Sequence, residues 1–309
     1  MPRSVSLWWF GARGMTNDPD CYANHPRAHD DGLRHGGAAG LMNAVVDTNP
    51  LSLQWWKAVP NFGDAISPVV VAHVSGRKVV HAGVHKAELW GIGSLLQVVK
   101  RAYTAKKDTR PVVWGTGLLH AVNGTEFTKH VDIALLRGPI TAALLNIEMS
   151  RFGDPGLVIS DVWPRDRAPN GKIGIVPHHS LIDDPALAAL LDSDPKYQLI
   201  DPRGDAQDVC AAIAACNHIF ASSLHGLIVA DAYGVPNTWL APVGQSRLKY
   251  LDYAAAVGRA MPAPVMIKDI PMIDLPKPDA ALSYQAGIDA CKFDVYASFP
   301  KVLRAGGDA

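Results

Sequence analysis

The chain has 309 residues, 48% of them hydrophobic, and its 29 basic and 29 acidic side chains leave a formal charge of zero. That length predicts two domains, and no basic excess exists to neutralise a nucleic-acid backbone, so we expect no nucleic-acid partner. No apolar run approaches the roughly 20 residues of a membrane span, and the apolar patch at the start is too short for a signal peptide. We therefore expect a cytoplasmic protein without an integral membrane segment.

Residues 1–48 differ in composition from the rest of the chain. They are rich in Gly, His, Asp, Asn and Arg and show little apolar periodicity. This composition favours a poorly ordered N-terminal extension. The remainder is expected to divide into an N-terminal Rossmann-like domain at 49–165 and a C-terminal one, with a tail, at 166–309.

The first half alternates strand-like and helix-like segments. After the strand-like run at 51–56, the pattern predicts a helix at 65–74 and another at 139–149, where Pro139 occupies an early helical position. Short runs of β-branched residues predict strands at 76–82, 110–114 and 132–136.

The second half shows the alternation more clearly. Strands are predicted at 173–177, 197–201, 218–222 and 236–240, and helices at 184–191, 205–216 and 226–233. Such alternation is typical of parallel sheets with helices on their faces. Parallel sheets bind ligands beyond the carboxyl ends of their strands, so we predict two Rossmann-like domains whose sheets face each other across a ligand-binding cleft.

The most informative segment runs from 218 to 236. A predicted strand ends at Ser222 and Ser223, His225 follows in the turn, and Gly226 opens a helix. The serine hydroxyls and the free N–H groups of the helix start predict an anion site beside an imidazole. The alternative is a histidine that only caps the helix or packs at the sheet edge.

Two further segments place polar residues before helices. In the run Asn61-Phe62-Gly63-Asp64, Gly63 permits close backbone approach and Asp64 can cap a helix or face the cleft. Taken alone, an ordinary helix cap is the better interpretation of this run. Arg137 follows a strand and can bind a carboxylate or phosphate through its forked guanidinium group, although a solvated surface arginine explains it equally well.

Glycine-rich loops follow two other strands. They contain Gly93 with Ser94, and Gly115-Thr116-Gly117, but neither is a Walker loop or a dinucleotide fingerprint, and each could be a tight turn. His178 follows a strand and is expected to face the cleft. Adjacent His178 and His179 are expected to point to opposite sides, and the four cysteines lack zinc-site spacing, so we predict no metal.

In order, these motifs resemble the polysaccharide pyruvyl transferase family, over about residues 50–260. They read NFGD at 61–64, GIGS at 91–94, WGTG at 114–117, LRGPIT at 136–141, GDPG at 153–156, VPHH at 176–179, SSLHGLIVADAYGVP at 222–236 and KYLDY at 249–253. The form of the motif found here, with Ser223 two residues before His225, is most similar to the exopolysaccharide ketal-transferase branch of succinoglycan type. Some members carry arginine at that position, so a second donor-binding cation must come from elsewhere, and Arg247 or Lys249 are the candidates.

The resemblance implies a fold like the two-domain GT-B glycosyltransferases. It also implies transfer of a pyruvyl group from phosphoenolpyruvate to a polymeric or lipid-linked glycan. A lipid-linked acceptor would bring the cytoplasmic enzyme into peripheral contact with the inner membrane. No cofactor beyond the donor is expected. The family's histidine and arginine carry over to His225 and Arg137, and Asp64 is a third catalytic candidate. The expected substrate-binding residues are Asn61, Gly63, Gly93, Ser94, Gly115, Thr116, Gly117, His178, Ser222, Ser223, Leu224, Gly226, Arg247 and Lys249.

Two other functions stay open from the sequence. A nucleotide-sugar glycosyltransferase would share the architecture but bind a nucleoside diphosphate. A non-catalytic glycan-binding subunit would bind glycan without releasing phosphate.

Overall fold

The computed structural model describes residues 49–106, 110–166, 168–277 and 280–307. The extension predicted at 1–48 lies outside these residues. The first half forms a parallel sheet of five strands in the order β2-β1-β3-β4-β5. These strands are β1 (Leu51–Gln54), β2 (Val79–His81), β3 (Leu89–Trp90), β4 (Val112–Trp114) and β5 (Asp132–Leu135).

The second half forms a separate parallel sheet of four strands in the order β7-β6-β8-β9. They are β6 (Ile173–Val176), β7 (Tyr197–Leu199), β8 (His218–Ala221) and β9 (Asn237–Trp239). An α/β protein with parallel sheets is thus confirmed. The division near residue 165 and a GT-B-like arrangement across a cleft stay predictions.

Helices connect most of the strands. In chain order they are α1 (Phe62–Ser75), α2 (Leu96–Ala102), α3 (Pro139–Leu144), α4 (Ile159–Val162), α5 (Pro185–Ser193), α6 (Ala206–Ala215), α7 (Leu224–Ala232), α8 (Leu248–Ala256) and α9 (Gln285–Ser298). Within the described part of the chain, no helix combines the length and apolar character needed to cross a bilayer.

The way helices begin and end explains why several elements have other bounds than the sequence predicts. Asn61 caps α1 by accepting from the Gly63 N–H, and Gly76 ends it in the left-handed conformation, so the predicted strand at 76–82 shortens to β2. The predicted helix at 139–149 ends at Leu144. Helix α7 begins at Leu224 because Ser223 is its cap, which places His225 inside the first turn rather than before it.

A shared core joins the elements of the two sheets. Helix α1 packs against α6, and the 3-10 helix Pro155–Val158 contacts both α1 and α7. The largest buried cluster accordingly includes Leu53 from the first sheet and Val176 from the second. This packing brings the loops at the carboxyl ends of both sets of strands together.

Candidate active site

A cavity of about 130 Å³ lies where loops from the two halves meet. The first half contributes loops after β1, β3 and β4, and the second contributes loops after β6 and β8 together with α8. Every lining residue except Leu119 belongs to the set expected from sequence. The lining consists of Asn61, Asp64, Gly93, Ser94, Leu119, His178, Ser223, Leu224, His225 and Lys249.

His225 is the second residue of α7 and is 7% exposed. Its Nε2 atom is buried and has no hydrogen-bond partner among the described residues. Burial lowers the pKa of His225 to about 3, and the nearby charges of Lys249 and Arg137 act in the same direction. The imidazole is therefore neutral at neutral pH, and His225 lines the cavity with one buried ring nitrogen that has no partner in the described part of the chain.

The His225 ring is held in place by the first turn of α1. A Cβ atom at Gly63 would overlap the ring at Cβ, Cγ and Nδ1. Any side chain there would displace the ring or the helix, so glycine is required for this close approach. Gly63 thus supports the catalytic candidate and does not itself line the cavity.

Asp64 and Lys249 bring opposite charges to the cavity. Asp64 is half-buried in the first turn of α1, and burial raises its pKa to about 7, against the opposing effect of Lys249. Lys249 is half-buried on α8, and burial together with Arg137 lowers its pKa to about 8, opposed by Asp64. Lys249 Nζ lies 2.7 Å from Gln245 Oε1 and 5.1 Å from the centre of the Tyr250 ring. A titratable acid and a partly desolvated ammonium group therefore share this space.

His178 supplies a second imidazole after β6. Its Nδ1 accepts from the Ser180 N–H at 3.3 Å and lies 2.8 Å from Ser180 Oγ, which leaves the hydrogen on Nε2. Burial, with His179 and Lys249, lowers its pKa to about 4. The expectation that the neighbouring histidines point to opposite sides is wrong, because their ring centres lie 4.0 Å apart. No metal-binding group of three or more His, Cys, Asp or Glu side chains occurs among the described residues.

Arg137 does not line the cavity, and its expected catalytic role stays a prediction. The side chain is fully buried and donates to Asp252, Ser94 and the backbone oxygens of Leu118 and Gly93. All five N–H donors are thus directed at protein atoms. Through Ser94, which lines the cavity, Arg137 is connected to the cavity wall.

The Gly115–Gly117 loop also lies behind the cavity instead of lining it. The Thr116 hydroxyl donates to the Gly93 oxygen at 2.8 Å and accepts from the Leu95 N–H at 3.0 Å. Gly115 has a φ of 81°, and Gly117 leaves room for the Arg137 guanidinium group. This loop thus supports the loop that carries Gly93, and its own predicted substrate contacts stay predictions.

Three other predicted binding residues lie outside the lining. Ser222 is fully buried, where its Oγ accepts from the His178 N–H at 2.8 Å and its backbone oxygen accepts from Tyr250. The Gly226 N–H donates to Ser223 Oγ, so it is not free for an anion. Arg247 is exposed, and of the two candidate cations only Lys249 lines the cavity.

Sequence reasoning missed Leu119 and Asp252. Leu119 directly follows the WGTGL segment, so its place near the cavity had a local signal. Asp252 lies within the KYLDY motif, three residues after Lys249, but its partner Arg137 is distant in sequence.

Comparison with known proteins identifies relatives of this chain. The family model described as polysaccharide pyruvyl transferase matches residues 68–242. This stretch includes Gly93, Ser94, His178 and His225.

Two curated relatives match about half of the chain. The succinoglycan biosynthesis protein ExoV of Rhizobium meliloti (strain 1021) is 32% identical over 178 residues, which are 55% of this chain and 54% of that protein. Uncharacterized protein L143 of Acanthamoeba polyphaga mimivirus is 29% identical over 171 residues, which are 51% of this chain and 58% of that protein. The chain therefore spans about half the length of the curated relatives it matches.

Proposed function

The chain belongs to the polysaccharide pyruvyl transferase family, and from this premise we propose that it transfers the pyruvyl group of phosphoenolpyruvate to sugar hydroxyls of an exopolysaccharide, forming a pyruvate ketal. The observation that carries the proposal is one cavity lined by His225, Lys249 and Asp64, in which the imidazole keeps a buried nitrogen without a partner among the residues that the structure describes. Similarity to a succinoglycan biosynthesis protein supports the choice of acceptor class.

The size and charge of the cavity favour a small anionic donor. Its volume of about 130 Å³ is below the roughly 300–1,000 Å³ of pockets that bury drug-sized ligands. A nucleotide sugar is such a larger ligand, whereas phosphoenolpyruvate has only three carbons and one phosphate. Lys249 supplies positive charge for its anionic groups, and at the start of α7 the N–H groups of Leu224 and His225, which precede Gly226, are the candidate donors.

Two groups of the cavity suit the two kinds of proton transfer. Asp64, with a pKa of about 7, is protonated in a large fraction of molecules at neutral pH and can donate to the methylene carbon of the donor. His225 is neutral and can accept the proton of an attacking sugar hydroxyl. The raised pKa of Asp64 keeps much of it protonated for the acid role, and the lowered pKa of His225 keeps it unprotonated for the base role.

The proposed steps balance as follows. Asp64 protonates the methylene carbon, a sugar oxygen bonds to C2 and its proton passes to His225. The bond from C2 to the phosphate oxygen then breaks, and His225 returns its proton to the leaving phosphate. A second sugar hydroxyl bonds to C2 and gives its proton to Asp64. Both side chains end in their starting states, and the products are the ketal and inorganic phosphate.

The experiment uses the full chain with phosphoenolpyruvate and a panel of bacterial exopolysaccharide oligosaccharides. We expect acceptor-dependent phosphate release together with a pyruvylated glycan in the mass spectrum. In a parallel thermal-shift assay, phosphoenolpyruvate should stabilise the protein and uridine diphosphate sugars should not. Stabilisation by the nucleotide sugar alone would indicate a glycosyltransferase, and glycan binding without any phosphate release would indicate a binding subunit.

A further inference from the structure

Arg137 and Asp252 form a buried ion pair between the end of β5 and helix α8. Both side chains are 0% exposed, and Nε and Nη2 of Arg137 each lie 3.1 Å from Asp252 Oδ2. A buried charge that loses its partner is strongly destabilising, so each residue depends on the other. The pair therefore fixes the position of α8 relative to the first sheet.

The same two side chains reach three further parts of the first half. Arg137 Nη1 donates to Ser94 Oγ at 2.8 Å, and Nη2 donates to the Leu118 oxygen at 2.9 Å. Asp252 accepts from the Thr141 N–H at 2.8 Å and from the Thr141 hydroxyl at 2.7 Å. The loops after β3 and β4 and the start of α3 are thus all tied to α8.

Two glycines make room for this network. A Cβ at Gly117 would overlap the Arg137 guanidinium group, and a Cβ at Gly138 would overlap the Asp252 backbone. The absence of side chains at these two positions therefore permits the close approach of both members of the pair.

The network connects two opposite parts of the cavity wall. Ser94 lines the cavity from the first half, and Lys249 lines it from α8, three residues before Asp252 and so about one helical turn away. Asp64 from α1, His178 after β6 and His225 on α7 line the cavity together with Lys249, and Gln245 contacts the Lys249 ammonium group. Arg137 reaches the same region through Ser94, which shares the cavity with Lys249, and through Asp252, which lies one turn from Lys249 on α8.

We propose that Arg137 and Asp252 are positioning residues: the pair holds Ser94 and Lys249 in register across the cavity, and the Arg137 charge tunes the Lys249 ammonium group without contacting the donor. That Lys249 binds the donor rests on the function proposed above. The role of the pair itself rests on the contacts described here.

The first test measures the Lys249 pKa in the apo protein and needs no activity. Acetylation by acetic anhydride is followed by mass spectrometry between pH 6.5 and 10, with the exposed Lys268 as an internal control. Arg137→Met removes a positive charge and should raise the Lys249 pKa. Asp252→Asn leaves the Arg137 charge uncompensated and should lower the Lys249 pKa. Arg137→Lys keeps the positive charge and should leave the Lys249 pKa nearly unchanged.

Opposite shifts in the two charge-changing variants would support the proposal, and an unchanged Lys249 pKa in both would overturn it. Where Arg137→Met does not fold, Asp252→Asn carries the test, with the charge-conserving Arg137→Lys as its control. A lower Lys249 pKa in Asp252→Asn alone would support the proposal, and an unchanged pKa there would overturn it.

The second test separates positioning from direct donor binding. Misplacement by about 1 Å can cost on the order of 100-fold in rate, so Arg137→Lys and Asp252→Asn should each lower kcat about that much. The donor KM should change less than about tenfold, which corresponds to 1.4 kcal/mol. The double variant Arg137→Lys with Asp252→Asn should lose little more kcat than the worse of the two single variants, because both residues act through one network.

Direct binding predicts a different outcome. Arg137→Lys would then raise the donor KM about tenfold or more at unchanged kcat, and it would do so equally in the Asp252→Asn background. A wild-type protein that releases no phosphate from phosphoenolpyruvate would contradict the proposed function, while the Lys249 pKa would still decide whether Arg137 and Asp252 act as a positioning pair.

Discussion

The His225 imidazole lies directly against Gly63, so that the first turn of α1 and the first turn of α7 share one contact. This contact ties a helix of the first half to the catalytic candidate of the second. It gives the Asn61–Asp64 run a function that a helix cap alone would not require. Gly63 leaves space for the ring, and the next residue, Asp64, lines the cavity beside it.

Replacing Gly63 with alanine should therefore damage catalysis. The added Cβ forces the His225 ring or the α1 backbone to move, and overpacking of this kind typically costs about 1–3 kcal/mol of stability. We expect a large fall in kcat and a lower unfolding midpoint in urea. Gly83→Ala is the matched control, because a Cβ there meets nothing within 4 Å. Equal activity of the two variants would contradict the contact.

Lys249 should be the cation that binds the donor. Hydrogen bonds to charged groups contribute about 1.5–3 kcal/mol, so Lys249→Met should raise the donor KM roughly 10- to 100-fold. Arg247→Met is the control on the same helix end, since Arg247 is exposed and outside the cavity lining. The steady-state KM for phosphoenolpyruvate measures both, and a larger effect at Arg247 would reverse the assignment.

The pH dependence of kcat/KM should show a falling limb above neutrality. Asp64 must be protonated to act as the acid, and this form is lost as pH rises through its pKa of about 7, while Lys249 loses its charge above about 8. Because Asp64 and Lys249 interact, the apparent pKa of this falling limb describes the pair and not either residue alone. His225 stays neutral down to about pH 3, so it should add no acid limb above pH 5.

The Lys249→Met variant checks the sign of this coupling. The Lys249 charge lowers the pKa of Asp64, so its removal should move the limb to higher pH. The residual rate of the variant, followed from pH 5.5 to 9.5, reports the change. A shift to lower pH would be inconsistent with the charges described.

Buried neutral histidines should make the fold sensitive to acid. Burial lowers the pKa of His218 to about 4 in the folded protein, below its ordinary value of 6.5. As pH falls from 6.5 toward 4, the unfolded chain binds a proton that the folded one does not. Stability is therefore lost by up to about 1.4 kcal/mol per pH unit for such a group.

His218→Gln should consequently flatten the pH dependence of stability over this range. Urea unfolding at pH 6.5, 5.5 and 4.5 measures it, with the exposed His120→Gln as control. If the unfolding free energy of His218→Gln changed with pH as steeply as that of the wild type, this histidine would not be held neutral.

The parts of the site that could be predicted from sequence lie on local strand-to-helix connections. His225, Ser223 and Asn61 follow strands and precede helices, and these patterns are visible within a few residues. The position of Leu224 as the first helical residue required knowing that Ser223 caps α7, and the sequence pattern had favoured Gly226.

The parts that could not be predicted depend on distant partners. Arg137 can be buried because Asp252 neutralises its charge, and Asp252 lies 115 residues away in sequence. The choice between Lys249 and Arg247 depends on which of these two side chains at the start of α8 lines the cavity. Helix α8 itself was not predicted, and neither was α9, whose buried side comes from packing against elements far back in the chain.

The most direct test of the central claim compares two buried histidines at opposite ends of β8. His218 is the first residue of β8 and His225 follows its last residue, but of the two only His225 lines the cavity. In acceptor-dependent phosphate release from phosphoenolpyruvate, His225→Gln should lower kcat by about 10²–10⁴-fold, and His218→Gln should stay close to wild type. A folded His225→Gln protein that keeps the full rate would contradict the central claim.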